Sequence, residues 1–349
     1  MTTVYDVARA AGVSTATVSR VIRGSDLVSP DTRDRVLAVV ETLDFVPDAT
    51  AQGLTRRRKD IIGLVALDRG AEEIDIESAS RVFTDHIVHA AEAAVREAGS
   101  SLLLTFGRRD GQLERRVRSL SGKVDGMLIA EEIMPRGKLR ALAQRIPVVI
   151  IAGSRHETGI DVVLGDNTAG MTELAGHLLR HHRYRRLALV AGPADAPDAV
   201  ERRAALEQAV LAAEGCVLEQ VIAGDFSEES GIAAAAALLR NPTLPDAVAC
   251  VNDQMAVGVL REFARAGVRV PDDVAVTGYD DIYAARIVDP RLTTVSQPLG
   301  ELGTRAARRL LELVEDHRTE PRTEVLPTRL VTRVSCGCPP AAVPAGSLR

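Results

Sequence analysis

The apolar and polar positions follow two different rhythms along this chain, and the change falls near residue 60. Before it, Val4, Val7, Ala8 and Ala11 recur at helical spacing, Gly12 breaks the run, and Val18, Val21 and Ile22 resume it on one side of a second helix. Thr3 followed by Asp6 has the spacing of a capping box, and Ser14 is placed to cap the second helix. Ser29-Pro30-Asp31-Thr32 marks a third start, with a Ser cap, Pro in the first turn and a carboxylate near the positive helix end. That helix is expected from about Asp31 to Leu43, with Val36, Leu37, Val40 and Leu43 facing the other two. A core built from so few residues is marginal by size alone.

From Asp60 onward, strand-like apolar runs alternate with amphipathic stretches. A first set of strands is expected at 61–67, 101–106, 126–129 and 148–152, and a second at 187–191, 217–223, 247–251 and 274–278. Helices are expected at 82–98, 168–182, 199–214, 228–239 and 253–266. Such alternation implies parallel sheets covered by helices on both faces, and two successive sets suggest two similar lobes with a cleft between them. Ligands bind such sheets outside the carboxyl ends of the strands.

Length and composition agree with a small domain plus a larger body: 349 residues, 46% hydrophobic and 26% charged, as in ordinary globular proteins. A net charge of −5 argues against indiscriminate nucleic-acid binding. Its distribution is uneven, since residues 1–59 carry nine Arg or Lys against seven Asp or Glu, while the rest is acidic. No stretch reaches membrane-spanning length and no basic-then-apolar export signal opens the chain, so a cytoplasmic location is expected. Four cysteines, at 216, 250, 336 and 338, are too few and too irregular for a disulfide framework. Cys336-Gly337-Cys338 offers two sulfurs where a closed zinc site needs four ligands, and nothing near in sequence completes it. His177 and His181 are spaced i, i+4, but Arg180, His182, Arg183, Arg185 and Arg186 crowd the same helix end and read as cations at a negative terminus. Neither a P-loop, a GxGxxG after a strand, nor a GxSxG elbow is present. The expectation is therefore no metal, no cofactor and no enzymatic activity. The tail from residue 336 is Pro- and Ala-rich and expected to be disordered, and it lacks the leucine heptads that would argue for a tetramer.

The second short helix carries the sharpest signal. Opposite its apolar stripe lie Thr15, Ala16, Ser19, Arg20 and Arg23, a small, polar and basic face of the kind a major groove admits. The segment Tyr-Asp-Val-Ala-Arg-Ala-Ala-Gly-Val-Ser-Thr-Ala-Thr-Val-Ser-Arg-Val-Ile, from Tyr5, resembles the DNA-binding head of the lactose/galactose repressor family, and the resemblance continues to about Ser335. It implies an all-α helix-turn-helix domain (1–46), a hinge helix and basic linker (47–59), and an α/β two-lobed, periplasmic-binding-protein-like (type I) sensor and dimerisation domain (60–335). By that resemblance Thr15, Ala16 and Arg20 read base edges, while Thr17 and Ser19 touch phosphates. Thr3, Tyr5, Ser14 and Arg23, with Ala51, Arg56 and Arg57 of the linker, complete the DNA-contacting set. Leu54 falls where the family wedges a leucine into the minor groove at the operator centre. Asp48 stands where the family usually has Asn, and the run Arg56-Arg57-Arg58-Lys59 is denser in charge than usual.

In the sensor domain the resemblance assigns effector contacts one at a time. Asn252 in Val251-Asn252-Asp253 hydrogen-bonds the ligand or caps the helix that follows. Asp280, in Gly278-Tyr279-Asp280-Asp281, sits where the family accepts hydrogen bonds from sugar hydroxyls or a base edge. Arg202 falls at a ligand-binding arginine or is a solvated helix arginine, Phe226 stacks on a ring or joins the core, and Asp166 lines the cleft or caps a helix. The clearest departure is at 68–85, where the family carries an Asn-Pro-aromatic-aromatic segment; here Asp68, Arg81 and Phe83 are the candidates. An arginine there would admit an anionic ligand. The implied partners are operator DNA, a second copy of the chain and a small effector, a sugar or else a purine-like or phosphorylated metabolite. A small-molecule transport component and an enzyme on the same fold are the rival classes.

Overall fold

The computed structural model describes residues 2–22, 25, 27–45, 58–67, 79–131, 133–155, 159–316 and 320–339, with side chains described from residue 84 within the helix that begins at 79. The candidates Arg23, Ala51, Leu54, Arg56, Arg57 and Asp68 lie outside the described residues, as do the side chains of Arg81 and Phe83. The chain divides into two compact units, Met1–Lys59 and Asp60–Arg349.

The first unit holds α1 (Val4–Ala11), α2 (Thr15–Ile22) and α3 (Pro30–Thr42). The capping box of α1 is complete: the Asp6 amide donates to the Thr3 hydroxyl oxygen at 3.4 Å and the Thr3 amide donates to the Asp6 carboxylate at 2.9 Å. Gly12 closes α1 with a φ of 65°, a left-handed turn that a residue with a Cβ adopts only at a cost. Ser14 caps α2, accepting from the Thr17 amide at 3.1 Å. Val7, Ala8, Ala11, Val18, Val21 and Val36 form the buried core. Two expectations need correction here. Leu37 points outward at 46% exposure, and Val39 packs on the core beside Val40 and Leu43 in its stead. Ser29 occupies the cap position of α3, yet its hydroxyl bonds the Thr32 side chain at 2.9 Å and leaves the helix amides uncapped by it.

The second unit has two lobes. The first is a parallel sheet in the order β11-β5-β4-β3-β1-β2, built from β1 (Ile61–Leu67), β2 (Ser101–Gly107), β3 (Gly126–Ala130), β4 (Val148–Ile151), β5 (Asp161–Gly165) and β11 (Thr323–Leu326). β3, β4 and β5 are buried along their whole length; β3 and β4 accordingly read as continuous apolar runs, while β5, which opens on Asp161, was not among the expected strands. Helices α4 (Ala79–Glu97) and α12 (Leu299–Glu315) cover one face, while α5 (Gly111–Ser121) and α6 (Arg136–Ala143) cover the other. The second lobe orders β7 (Val217–Ala223), β6 (Arg186–Ala191), β8 (Ala247–Cys250) and β9 (Ala275–Thr277) in parallel. Around it pack α7 (Asn167–Gly176), α8 (Pro197–Leu211), α9 (Glu228–Leu238), α10 (Asp253–Arg265) and the short α11 (Tyr283–Ile287).

The chain crosses between lobes after Gly165, again between β10 (Thr294–Ser296) and α12, and finally between β11 and β12 (Arg329–Val331), which pairs antiparallel with β10. Two local features depart from expectation. The helix beginning at Asn167 ends in a π turn, His177–His181, rather than continuing as an α-helix to His182. The expected tail also starts too early: Val334–Cys336 is a 3-10 turn and Cys336 is fully buried.

Candidate DNA-reading face and effector site

On the first unit, α2 turns Val18 and Val21 into the core and leaves Ala16 and Arg20 exposed, with Thr15, Thr17 and Ser19 half-buried between them. The outward face is therefore the small and basic one that the hydrophobic pattern implied. Tyr5 is 69% exposed on α1. Thr3 and Ser14 carry structural duties as caps, and Thr3 holds the Asp6 carboxyl below its ordinary value by hydrogen bonding.

On the second unit, the strand-end loops of the second lobe converge on one side chain. Arg202, on α8, is 2% exposed. Its Nε donates to Asn167 Oδ1 at 2.9 Å, and its Nη1 donates to the Val251 carbonyl at 2.7 Å and to Asp280 Oδ1 at 3.2 Å. The guanidinium also lies 3.8 Å from the centre of the Tyr279 ring. Because α7, β8 and the loop after β9 all deliver an acceptor to it, Arg202 is the pin of this edge and not a solvated helix arginine.

Asp280 receives a second bond from Gln297 Nε2 at 2.7 Å. Burial pushes its carboxyl up to about 6, against the opposing pull of Arg202 and Gln297. Asp253 behind it is fully buried and raised by burial and by the Asp280 charge, while Thr294 Oγ1 donates to it at 2.5 Å. The native state therefore holds the Asp280 proton more tightly than the unfolded chain does. Asp280 should lower stability progressively as pH rises from about 4 to about 6, by up to ~3 kcal/mol. Asp280→Asn should flatten this part of the stability–pH curve, a difference measurable by paired thermal melts across that window. A variant curve parallel to the parent's would show that Asp280 does not titrate there.

The other candidates are resolved individually. Asn252 caps α10, its Oδ1 accepting from Met255 N at 3.1 Å, while its Nδ2 donates to the Phe226 carbonyl at 2.9 Å. Phe226 packs partly on the lobe core and has a φ of 73°. Asp166 caps α7 through Ala169 N at 3.1 Å and pairs with Arg155 at 3.0 Å. Asn167, Arg202, Asn252, Phe226 and Asp280 are thus brought to one edge. The non-glycine residues Glu131, Ala152, Phe226, Asp280 and Asp281 all take positive φ at or just past strand ends. Such strain persists only where surrounding contacts over-determine it, and it gathers at binding loops. Beside Asp280 opens a cavity of about 360 Å³ that also reaches Gln297, Pro298 and His86.

Residues that sequence reasoning passed over complete the edge. Arg155, just beyond β4 in the first lobe, reaches Glu201 of α8 in the second at 3.5 Å. Arg109 in the first lobe pairs with Asp195 in the second. Gln297 and Asp253 buttress Asp280. A strand-end position was the available signal for Arg155, whereas the partners across the lobes become neighbours only in the folded chain.

A helix-turn-helix unit followed by a two-lobed α/β sensor defines the class of ligand-responsive transcription regulators. Residues 3–48 match the model for "Bacterial regulatory proteins, lacI family", and residues 175–336 match a periplasmic binding protein-like domain. The chain is 35% identical to the HTH-type transcriptional regulator CelR of Thermobifida fusca, over 94% of its own length and 96% of the relative's. It is 33% identical to the HTH-type transcriptional repressor PurR of Escherichia coli, over 96% and 97%. Among solved structures it resembles a lac repressor dimer bound to operator and the anti-inducer ONPF, with a TM-score of 0.85, 27% identity and coverage of 96% and 99%. It also resembles a CelR–cellobiose complex, with a TM-score of 0.69, 35% identity and coverage of 96% and 100%. The chain belongs to the lacI family of bacterial transcriptional regulators and is a DNA-binding regulator, not an enzyme. Among the described residues no helix is long and apolar enough to cross a membrane.

Proposed function

We propose that this regulator is a repressor that binds a two-fold symmetric operator as a homodimer, α2 of each copy lying in the major groove, and that a carbohydrate at the second-lobe edge switches it. One observation carries the effector half: a buried carboxylate, Asp280, held at a strand end by Arg202 and Gln297 beside a cavity of about 360 Å³. A carboxylate acceptor in a partly apolar cavity suits the hydroxyls of a sugar. Arg202 is committed to protein acceptors, which favours a neutral polyol over an anion at this edge. The likeness to a cellobiose complex and to an operator-bound dimer supports the same reading. Tyr283 and Ile287, 69% and 62% exposed on α11, supply apolar surface for a second copy. The basic linker at 47–59, with Leu54 as wedge, is proposed to complete the DNA contact.

A switch requires that ligand bind the DNA-competent and incompetent arrangements with different affinity. The test is an anisotropy titration on a palindromic, centrally CG-containing duplex at fixed salt, with cellobiose, glucose and a purine base added in turn. Carbohydrate is expected to shift the operator affinity and raise the thermal midpoint. A shift with the purine alone would replace the sugar, and no sequence preference at all would sink the operator reading. Arg20→Ala should cost about 1–3 kcal/mol concentrated at one base position per half-site. Equal weakening on every sequence would place Arg20 on phosphate.

A further inference from the structure

The sequence offered Cys336-Gly337-Cys338 as half of a metal site with nothing to finish it; the fold corrects that. His177, His182, Cys336 and Cys338 each present a ligand atom, and all four atoms lie within 4.8 Å of one another. The two imidazole Nε2 atoms are 3.1 Å apart. His177 Nε2 is 3.5 Å from Cys336 Sγ and 3.4 Å from Cys338 Sγ, and His182 Nε2 is 3.5 Å from Cys338 Sγ. A tetrahedral zinc ion with ordinary bond lengths would separate its ligands by roughly 3.3 Å for two nitrogens, 3.6 Å for nitrogen and sulfur, and 3.8 Å for two sulfurs. Four of the six edges of the cluster are close to those lengths, and the remaining two, Cys336 Sγ to Cys338 Sγ and to His182 Nε2, are no longer than 4.8 Å.

Two backbone features make the arrangement. A π turn places residue i+5 over residue i, and the His182 amide donates to the His177 carbonyl at 3.1 Å, so the His182 ring meets His177 edge-on with the two Nε2 atoms together, while the His181 ring stacks on His177. On the other side, Gly337 takes a φ of 92°, and a Cβ there would stand 3.1 Å from the Tyr184 hydroxyl and 3.5 Å from the His182 ring. Only glycine lets the chain turn so close to the histidines and bring both sulfurs to them. The surroundings hold the parts in place. Tyr184 donates to the Cys336 carbonyl at 3.1 Å, Thr293 Oγ1 lies 3.0 Å from Cys336 Sγ, and Ser335 Oγ bonds the Val276 carbonyl of β9 at 2.6 Å.

We propose that His177, His182, Cys336 and Cys338 bind one zinc ion. Four protein ligands close the coordination sphere, so the ion is structural: it clamps the turn at 334–338 onto the C-terminal end of the α7 helix. Binding releases the two thiol protons. The opposite end of that helix carries Asp166 and Asn167 of the effector edge, about 20 Å away at helical rise, so this site is separate from the sugar-binding proposal.

The test uses the full chain, purified under reducing conditions without a polyhistidine tag and without chelators. Elemental analysis should find about one zinc per chain, falling at least tenfold in Cys336→Ser/Cys338→Ser. The stripped parent, refilled with Co2+, should show the intense visible bands and thiolate charge transfer of a tetrahedral Cys/His site. Zinc should also protect the half-buried Cys338 from alkylation and leave the half-buried Cys216 reactive. Should the serine variant fail to fold, the cobalt spectrum and the alkylation pattern of the parent decide the matter. A folded parent that takes up neither zinc nor cobalt, or a metal content unchanged by the double substitution, overturns the site.

Discussion

Val18→Asp should abolish operator binding while leaving the second unit folded. Val18 is fully buried in a core that has six buried side chains among the described residues, three of them on α1 and one on α3. Removing a buried valine forfeits about 1.5–3 kcal/mol, and an unpaired carboxylate in its place costs several more unless it draws in water or a proton. A unit of fewer than sixty residues has little stability to lose, so the head should unfold outright. DNA recognition needs α2 presented as a rigid helix, and operator affinity should fall more than about a thousandfold, toward non-specific levels. The thermal transition of residues 60–349 and any effector-induced shift in it should be unchanged, since the two units have separate cores. Anisotropy on operator DNA, paired with a melting curve, checks both halves. An affinity within tenfold of the parent would mean that α2 is not the reading element.

Arg202→Met carries the second large effect, and it falls on the sensor. Methionine replaces the volume but not the charge, leaving Asp280 buried beside Asp198 and Asp253 without its cation. Breaking one partner of a buried pair costs about 3–5 kcal/mol. At roughly 2–4 °C per kcal/mol for a domain of this size, the melting midpoint should drop by about 10 °C. Asp280→Asn in the same chain should restore part of that loss, because it removes the carboxylate that the first change stranded. A double-mutant cycle should give a coupling of about 1–3 kcal/mol. Strict additivity would show that Arg202 acts through Asn167 and the Val251 carbonyl alone. The single variant should also lose its response to carbohydrate, since the loop that positions Asp280 is pinned by the guanidinium.

The elements that matched their expected limits have uniform or strictly periodic burial, although that alone was not sufficient, since the uniformly buried β5 and the amphipathic α5 were not expected. β1, β7 and α10 fall within a residue of their expected limits, because a doubly buried strand, an alternating edge strand and an amphipathic helix each leave a clean pattern. α12 was missed although it covers much of one sheet face. Its inward stripe contains Arg309, 4% exposed and bonded to the equally buried Asp161 at 2.5 Å, so a charged residue stands where the pattern calls for an apolar one. β10, β11 and β12 were missed because three- and four-residue strands exist only as parts of the lobe crossings.

At the candidate sites the same division holds. Asn252, Arg202 and Asp280 were marked by the family resemblance, with a strand-end position adding weight to Asp280, but their mutual bonds, and those of Gln297 and Arg155, depend on loops far apart in sequence meeting at one edge. Local order, the caps at Thr3 and Ser14 and the outward polar face of α2 were written into the chain because spacing within one element determines which residues share a side. The zinc ligands were not, since 154 positions separate His182 from Cys336 and an α-helix would have turned His177 and His182 apart. Only the π turn, the left-handed Gly337 and the packing of the turn at 334–338 against the second lobe bring them within one coordination sphere. Long-range approach is a property of the packed core, which no short window of sequence contains.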